Sequence, residues 1–128
     1  MKTSIIAPGA EGLYRNFHFS SAIKSNGLVF VSGQLGRTAE GKLADGVEAQ
    51  VDCAFEAIGR VLEAAGCTFS AIVELGSFHV GPLDEHMPAC VDAIARYIGE
   101  PYPAWTAVGV TGLALPGALV EIKAIAQA

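Results

Sequence analysis

At 128 residues the chain amounts to one domain, enough for a single core and too short for two comfortable ones. It is 52% hydrophobic and 16% charged, against roughly 25% charged in an ordinary soluble domain, which excludes disorder and leaves more apolar surface than one small core hides. Eight basic against thirteen acidic residues give a formal net charge of −5, and Lys24, Arg37, Lys42, Arg60, Arg96 and Lys123 stand singly, so a nucleic-acid backbone finds no basic patch.

In chain order, Met1 to Ala10 carries one lysine and an Ile5-Ile6 pair before Pro8-Gly9, with no apolar stretch for a secretory signal. A cytoplasmic location is expected. A short strand is predicted around Phe17 to Ile23, joined through the Asn26-Gly27 turn to a second, Leu28 to Gln34. From Gly46 to Ala65 the residues Val47, Val51, Ala54, Phe55, Ile58, Val61, Leu62 and Ala65 recur at helical spacing. Asp45 is its expected cap with Glu48 completing a capping box, Glu56 and Arg60 are an i, i+4 pair, and Gly66 is a left-handed stop. Ala71 to Val80 reads as a strand. Asp84 to Ile98 reads as a second helix with the stripe Met87, Val91, Ile94 and Ile98, Pro88 either in its first turn or bending it, and Gly99 at its end.

Two further strands are predicted, Trp105 to Thr111 and Ala118 to Ala126, with Pro116-Gly117 making a tight connection that places them side by side. The apolar region Ala107 to Val120 is too broken by Thr111, Pro116 and glycines to be a membrane span. The whole is one domain, residues 1–128, of the α+β class: a mixed β-sheet with two helices packed on one face. If both helices do cover one face, the other is left bare and apolar, which asks for another subunit.

Few residues invite chemistry. Cys53, Cys67 and Cys90 are an odd set at wide spacing, fitting reduced thiols, and with His18, His79 and His86 they make no metal-ligand spacing. Glu121 interrupts the apolar run from Ala118 to Ile122 and shares a strand face with Leu119, Lys123 and Ile125. It is either a solvated strand acid beside Lys123 or a carboxylate at the wall of a cleft, acting on a water. Trp105, the single tryptophan, serves packing or stacks on a flat ligand. His79 alternates with Leu75 and Ser77, the pattern of a hydrogen-bonded interior histidine, whereas His18 and His86 stand near loop or helix starts and are expected in solvent. Ser32-Gly33-Gln34 ends an apolar strand with a glycine that allows close approach.

Taken together, Leu28-Val29-Phe30-Val31-Ser32-Gly33-Gln34, Gln50, Ala64-Ala65-Gly66, Pro103-Ala104 and Val120-Glu121-Ile122-Lys123-Ala124-Ile125-Ala126 resemble the RidA/YjgF family of reactive intermediate deaminases. The resemblance covers nearly the whole chain. It implies a chorismate-mutase-like fold, a homotrimer with ligand clefts between subunits, and hydrolysis of small enamine or imine metabolites without a cofactor, a nucleic-acid partner or a membrane. In such proteins a glutamate of the last strand positions or activates water, and Glu121 matches it. Ser32 corresponds to the family's serine, and the backbone amides of Thr106 and Ala107 would line the same cleft. Two positions depart: Trp105 stands where the archetype has a carboxylate-gripping arginine, and Phe19 where it has a tyrosine. An indole offers one donor and no charge. Phe19, Trp105 and Tyr102 would therefore make the cleft aromatic, suited to a larger or flatter ligand, with Arg15 or Arg37 as alternative sources of charge. The alternative is a trimeric small-ligand-binding or chaperone-like protein without catalysis. Some relatives also carry an endoribonuclease label, which the acidic charge opposes.

Overall fold

Two elements precede the first strand that the sequence marks. In the computed structural model, which describes residues 1–128, β1 (Lys2–Ile5) and the short helix α1 (Glu11–Phe17) lead into β2 (Ala22–Ser25) and β3 (Leu28–Leu35). Then follow α2 (Val47–Ala64), β4 (Ile72–His79), α3 (Leu83–Ala93), β5 (Ala104–Gly109) and β6 (Val120–Gln127). A π-helical turn, Ile94–Ile98, prolongs α3. The six strands form one sheet in the order β1-β2-β3-β6-β4-β5, with β4 and β5 parallel and every other pair antiparallel. The mixed sheet is as expected, and α2 packs on β3 and β6 with α3 alongside it.

The best-patterned elements form for the reasons their sequences give. On α2, Val51, Ala54, Phe55, Ile58, Val61 and Leu62 are all buried. Gly66, at φ +78°, ends it in a Schellman motif, with Cys67 N–H donating to Leu62 O at 2.8 Å and Gly66 N–H to Glu63 O at 3.0 Å. Asn26 and Gly27, both at positive φ, close the β2–β3 hairpin with Ser25 opposite Leu28.

Several details differ from expectation. Phe17 ends α1 instead of opening a strand, and the strand begins at Ala22. The helix cap is Gly46, not Asp45: no side chain caps α2, and Glu48 falls at the second helical position, one short of a capping box. Glu56 and Arg60 form no ion pair, since both ion pairs of the chain belong to Arg96, with Asp52 and Asp92. The last two strands are not neighbours. Pro116-Gly117 does turn, but the C-terminal end of β4 enters between the two arms of that connection: Val110 N–H donates to His79 O at 2.8 Å and Val80 N–H to Leu119 O at 2.9 Å. β6 thus pairs with β4 on one side and β3 on the other.

The helix-covered face is the core. Val29, Val31, Leu75, Val120, Ile122, Ala124 and Ala126 point into it. The opposite face carries Phe30, Phe78, Val108 and Ile125, of which Phe30 and Val108 are exposed.

Gln50 joins the connection ahead of β6 to the core. Buried at 3% exposure, its Nε2 donates to Ala44 O at 3.1 Å and Gly117 O at 3.2 Å, and its Oε1 accepts from Leu119 N–H at 2.8 Å. Gly36 lies backbone to backbone against it, where any Cβ would overlap the Gln50 main chain. Replacing Gln50 by leucine strands three backbone groups, so Gln50→Leu is expected to lose about 3 kcal/mol in denaturant unfolding; a loss below about 0.5 kcal/mol would contradict this reading.

Candidate functional site

A bulge in β3 shapes the site. Val31 opposes Ala124 and Gln34 opposes Ile122, so Ser32 and Gly33 together stand against Lys123 alone. Ser32 is tied down twice, its N–H donating to Ser21 O at 2.9 Å and its hydroxyl to Ser20 O at 2.7 Å. Ser21 in turn accepts from Ala7 N–H at 3.0 Å. This serine ladder fixes the stretch between α1 and β2, and so places Phe19, 42% exposed, near the bulge.

Glu121 pairs in register with Leu35 on one side and Phe78 on the other, half-buried on the face away from α2 and α3. Its carboxylate lies over the bulge: a Cβ added at Gly33 would sit 2.5 Å from both Cδ and Oε2. That contact explains the glycine of Ser32-Gly33-Gln34. Lys123 does not pair with Glu121, as its chain lies over Gly76 instead. A cleft of about 650 Å³ opens here, lined by Phe17, Phe19, Gly33, Arg37, Leu115 and Glu121 among others, with Arg60 at the same wall. Of the two loop arginines considered from sequence, Arg37 lines this cleft and Arg15 does not.

The remaining expected site residues lie elsewhere in the chain. Trp105 and Ala107 are half-buried on the helix-facing side of the edge strand β5, in register with Leu75 and Ser77. Thr106 is exposed on the opposite side, and Tyr102, 58% exposed, precedes the strand. Because β4 lies between β5 and β6, those two strands run about 10 Å apart, two strand spacings. Within one chain Glu121 and Phe19 line one cleft with Ser32 beside it in the bulge, and Tyr102, Trp105, Thr106 and Ala107 lie apart from them on and before β5.

Sequence reading missed the partners of Trp105. Its indole N–H donates to Ser77 Oγ at 2.9 Å, Ser77 Oγ is 2.8 Å from His79 Nε2, and His79 Nδ1 is 3.2 Å from His86 Nδ1. His86 is 4% exposed, not in solvent as expected, because the first turn of α3 directs it inward onto His79. Ser77 and His79 stand two positions apart on one strand, a visible signal; His86 joins them only through space. Burial pushes the Cys90 thiol up to about 11 and also raises Cys53, so neither is a ready thiolate.

Known proteins are similar over most of this length. Residues 11–128 match the family model described as Endoribonuclease L-PSP. The chain is 40% identical over 126 residues to the RutC family protein YjgH of Escherichia coli K12, covering 98% of this chain and 95% of that protein. It is 36% identical over 123 residues to the 2-iminobutanoate/2-iminopropanoate deaminase of Capra hircus, covering 94% and 83%. The solved structure of protein YJGH matches with a TM-score of 0.84 at 39% identity over 98% of this chain and 95% of that one. YyfA of Yersinia pestis, a Rid protein, matches with a TM-score of 0.85 at 33% identity over the full length of both.

Burial, and next the charge of His86, hold the His79 imidazole below its ordinary value of 6.5. The unfolded chain therefore takes up this proton at a higher pH than the folded one. Stability that is complete above about pH 6.5 falls as pH drops toward the folded value, because the unfolded state binds more protons in that window. Melting temperatures measured from about pH 7.5 to about pH 5 should decline, and decline less in His79→Gln; equal slopes in both proteins would refute the assignment.

Proposed function

The chain belongs to the RidA/YjgF family, and from that premise we propose that it is a cofactor-independent deaminase of small enamine or imine metabolites, with Glu121 activating the attacking water. The observation that carries this reading is the half-buried carboxylate of Glu121 seated over Gly33 at the wall of a cleft. The names of the deaminase relatives support it.

In this mechanism Glu121 takes a proton from water as the water oxygen bonds to the imine carbon. The C=N electron pair moves to nitrogen, which takes the proton back from Glu121; in the resulting carbinolamine the carboxylate carries the hydroxyl proton to nitrogen as the C–N bond breaks, so that ammonia leaves and the carbonyl product remains. An enamine is first protonated at carbon to reach the same imine. No metal is required by this sequence of proton transfers.

The substrate differs from that of arginine-bearing relatives. The one donor of Trp105 is already engaged by Ser77, so the indole has nothing left to offer a substrate carboxylate. It presents an aromatic surface instead, and with Phe19 and Tyr102 favours a flat, apolar substrate body. Arg37 and Arg60 supply the positive charge at the Glu121 cleft, at a different place from position 105.

The cleft is completed, on this reading, by a neighbouring subunit of a homotrimer. Tyr102, Trp105 and the amides of Thr106 and Ala107 on one subunit face Glu121, Ser32 and Phe19 on the next. The bare sheet face with Phe30, Val108 and Ile125 supports such an assembly, since apolar surface of this kind is what permanent interfaces cover.

Ammonia release from imines generated in situ should fall at least about 100-fold in Glu121→Gln. Gly33→Ala should lose activity comparably, because the new methyl displaces the carboxylate, while unfolding free energy changes by less than about 1 kcal/mol. Turnover independent of Glu121 would sink the mechanism, ligand binding without turnover would favour the non-catalytic alternative, and brisk turnover of 2-iminopropanoate would contradict the role given to Trp105. Sedimentation should report a trimer for the native chain and smaller species for Phe30→Asp; a native monomer would remove the intersubunit cleft.

A further inference from the structure

The helix-facing side of the sheet is apolar along β4 and β6 except at one end. Ile72, Leu75, Val120, Ile122, Ala124 and Ala126 fill it, and then Ser77, His79 and His86 follow, at 2%, 0% and 4% exposure. A buried polar group is costly when unmatched, and an apolar replacement of equal shape would avoid that hazard. This polar stretch stands where Trp105 lies on the neighbouring strand, opposite Leu75 and two residues from Ala107, the partner of Ser77.

The donor count gives the chain of bonds a direction. Trp105 Nε1 can only donate, so it occupies a lone pair of Ser77 Oγ. The hydroxyl has a single proton and one other partner, His79 Nε2, and donates to it. His79 then carries its proton on Nδ1 and donates to His86 Nδ1, leaving the second proton-bearing nitrogen, His86 Nε2, beside Gly81. No buried side-chain nitrogen or oxygen lacks a partner, and with this direction the Trp105, Ser77 and His79 groups are matched while both imidazoles are neutral. A proton added to either imidazole forces His79 Nε2 to become a donor toward Ser77 Oγ, and the serine hydroxyl loses its acceptor.

We propose that Ser77, His79 and His86 are positioning residues that lock the Trp105 indole in one orientation, and that this lock sets the preference of the cleft for flat aromatic substrates. The preference for substrate rests on the reading of Trp105 as a cleft residue given above; the lock does not. The indole is half-buried, packed on the core along part of its surface and open along the rest, so a change in its orientation alters the surface that a ligand meets.

The groups facing His79 leave His86 as its only titrating neighbour. From α3 it meets His86, while Asp84 and Glu85 are exposed; from β5 it meets Trp105 through Ser77; from β6 it meets Val120, with Glu121 and Lys123 on the opposite face. Acidification therefore reports on this chain of bonds and on little else near the indole.

Trp105 is the only tryptophan, so its emission reads the lock directly. In folded Ser77→Ala, the emission maximum should shift and the steady-state anisotropy fall. Ser77→Thr, which keeps the hydroxyl, should restore both. For an aromatic imine, KM should rise about 5-fold in Ser77→Ala, the equivalent of one lost hydrogen bond, with kcat within about 2-fold. Wild-type protein supplies an arm that needs no variant: its emission should shift on acidification at a midpoint below 6.5 while the far-ultraviolet circular dichroism is unchanged. Emission unaltered in Ser77→Ala, or constant in the wild type until it unfolds, overturns the lock. An emission change with no change in KM overturns the claim on specificity. Absence of any Glu121-dependent turnover, with the emission effects present, refutes the deaminase reading and leaves the lock standing.

Discussion

Strand β6 runs through the middle of the sheet, and the two-residue alternation of its side chains constrains everything around it. Val120, Ile122, Ala124 and Ala126 are at most 1% exposed beneath the helices, while Glu121, Lys123 and Ile125 point the other way. A slip of one residue would drive a carboxylate and an ammonium into the core and bring the aliphatic set out. Burying a Val or Ile side chain contributes about 1.5–3 kcal/mol, and an unpaired charge in their place would cost more than that. The core therefore fixes the register, and the register fixes where Glu121 stands.

The same constraint explains the glycine beside it. A regular β3 would place a side chain against the carboxylate. The bulge at Ser32 and Gly33 puts an unsubstituted backbone there, and the serine ladder to Ser20 and Ser21 keeps the bulge in place. Gln50 performs a related task from the other end, tying Gly117 and Leu119 to the start of α2 just ahead of β6. The acid is thus held by strand register, by backbone shape and by the buried Gln50 amide that anchors Leu119 two residues upstream, with no ion pair to neutralise it.

What could be read from the sequence follows from how local each feature is. The period of α2, the Asn26-Gly27 turn and the alternation around Glu121 are written in neighbouring residues, and all three occur in the structure. α1 has no buried residue and so no apolar stripe to read, and β1 is a four-residue edge strand with one half-buried position. The insertion of β4 between β5 and β6 is a long-range choice, which the short connection at Pro116-Gly117 conceals. Within the candidate site, Gly33 was legible as a place of close approach, but not what approaches it. His86 misled because a helix start usually faces water, and its partner His79 lies on a different element.

The composition acquires a place once the sheet is seen to be covered on one side only. An apolar excess spread over a small monomer would be an aggregation hazard; here it is gathered on one face with Phe30, Phe78, Val108 and Ile125. β4 separates Glu121 from the residues of β5 by the width of a strand, and within one chain Trp105 stands on the helix-facing side of the sheet while Glu121 stands on the other. On the proposed reading, association meets both needs: the neighbour that covers apolar surface also carries the missing wall of the cleft. Stability and activity are then coupled through one interface. A chain with few charges is suited to that arrangement, because the surface left over for solvent is smaller in the assembly than in the monomer, while Glu121, Arg37 and Arg60 stand at the cleft.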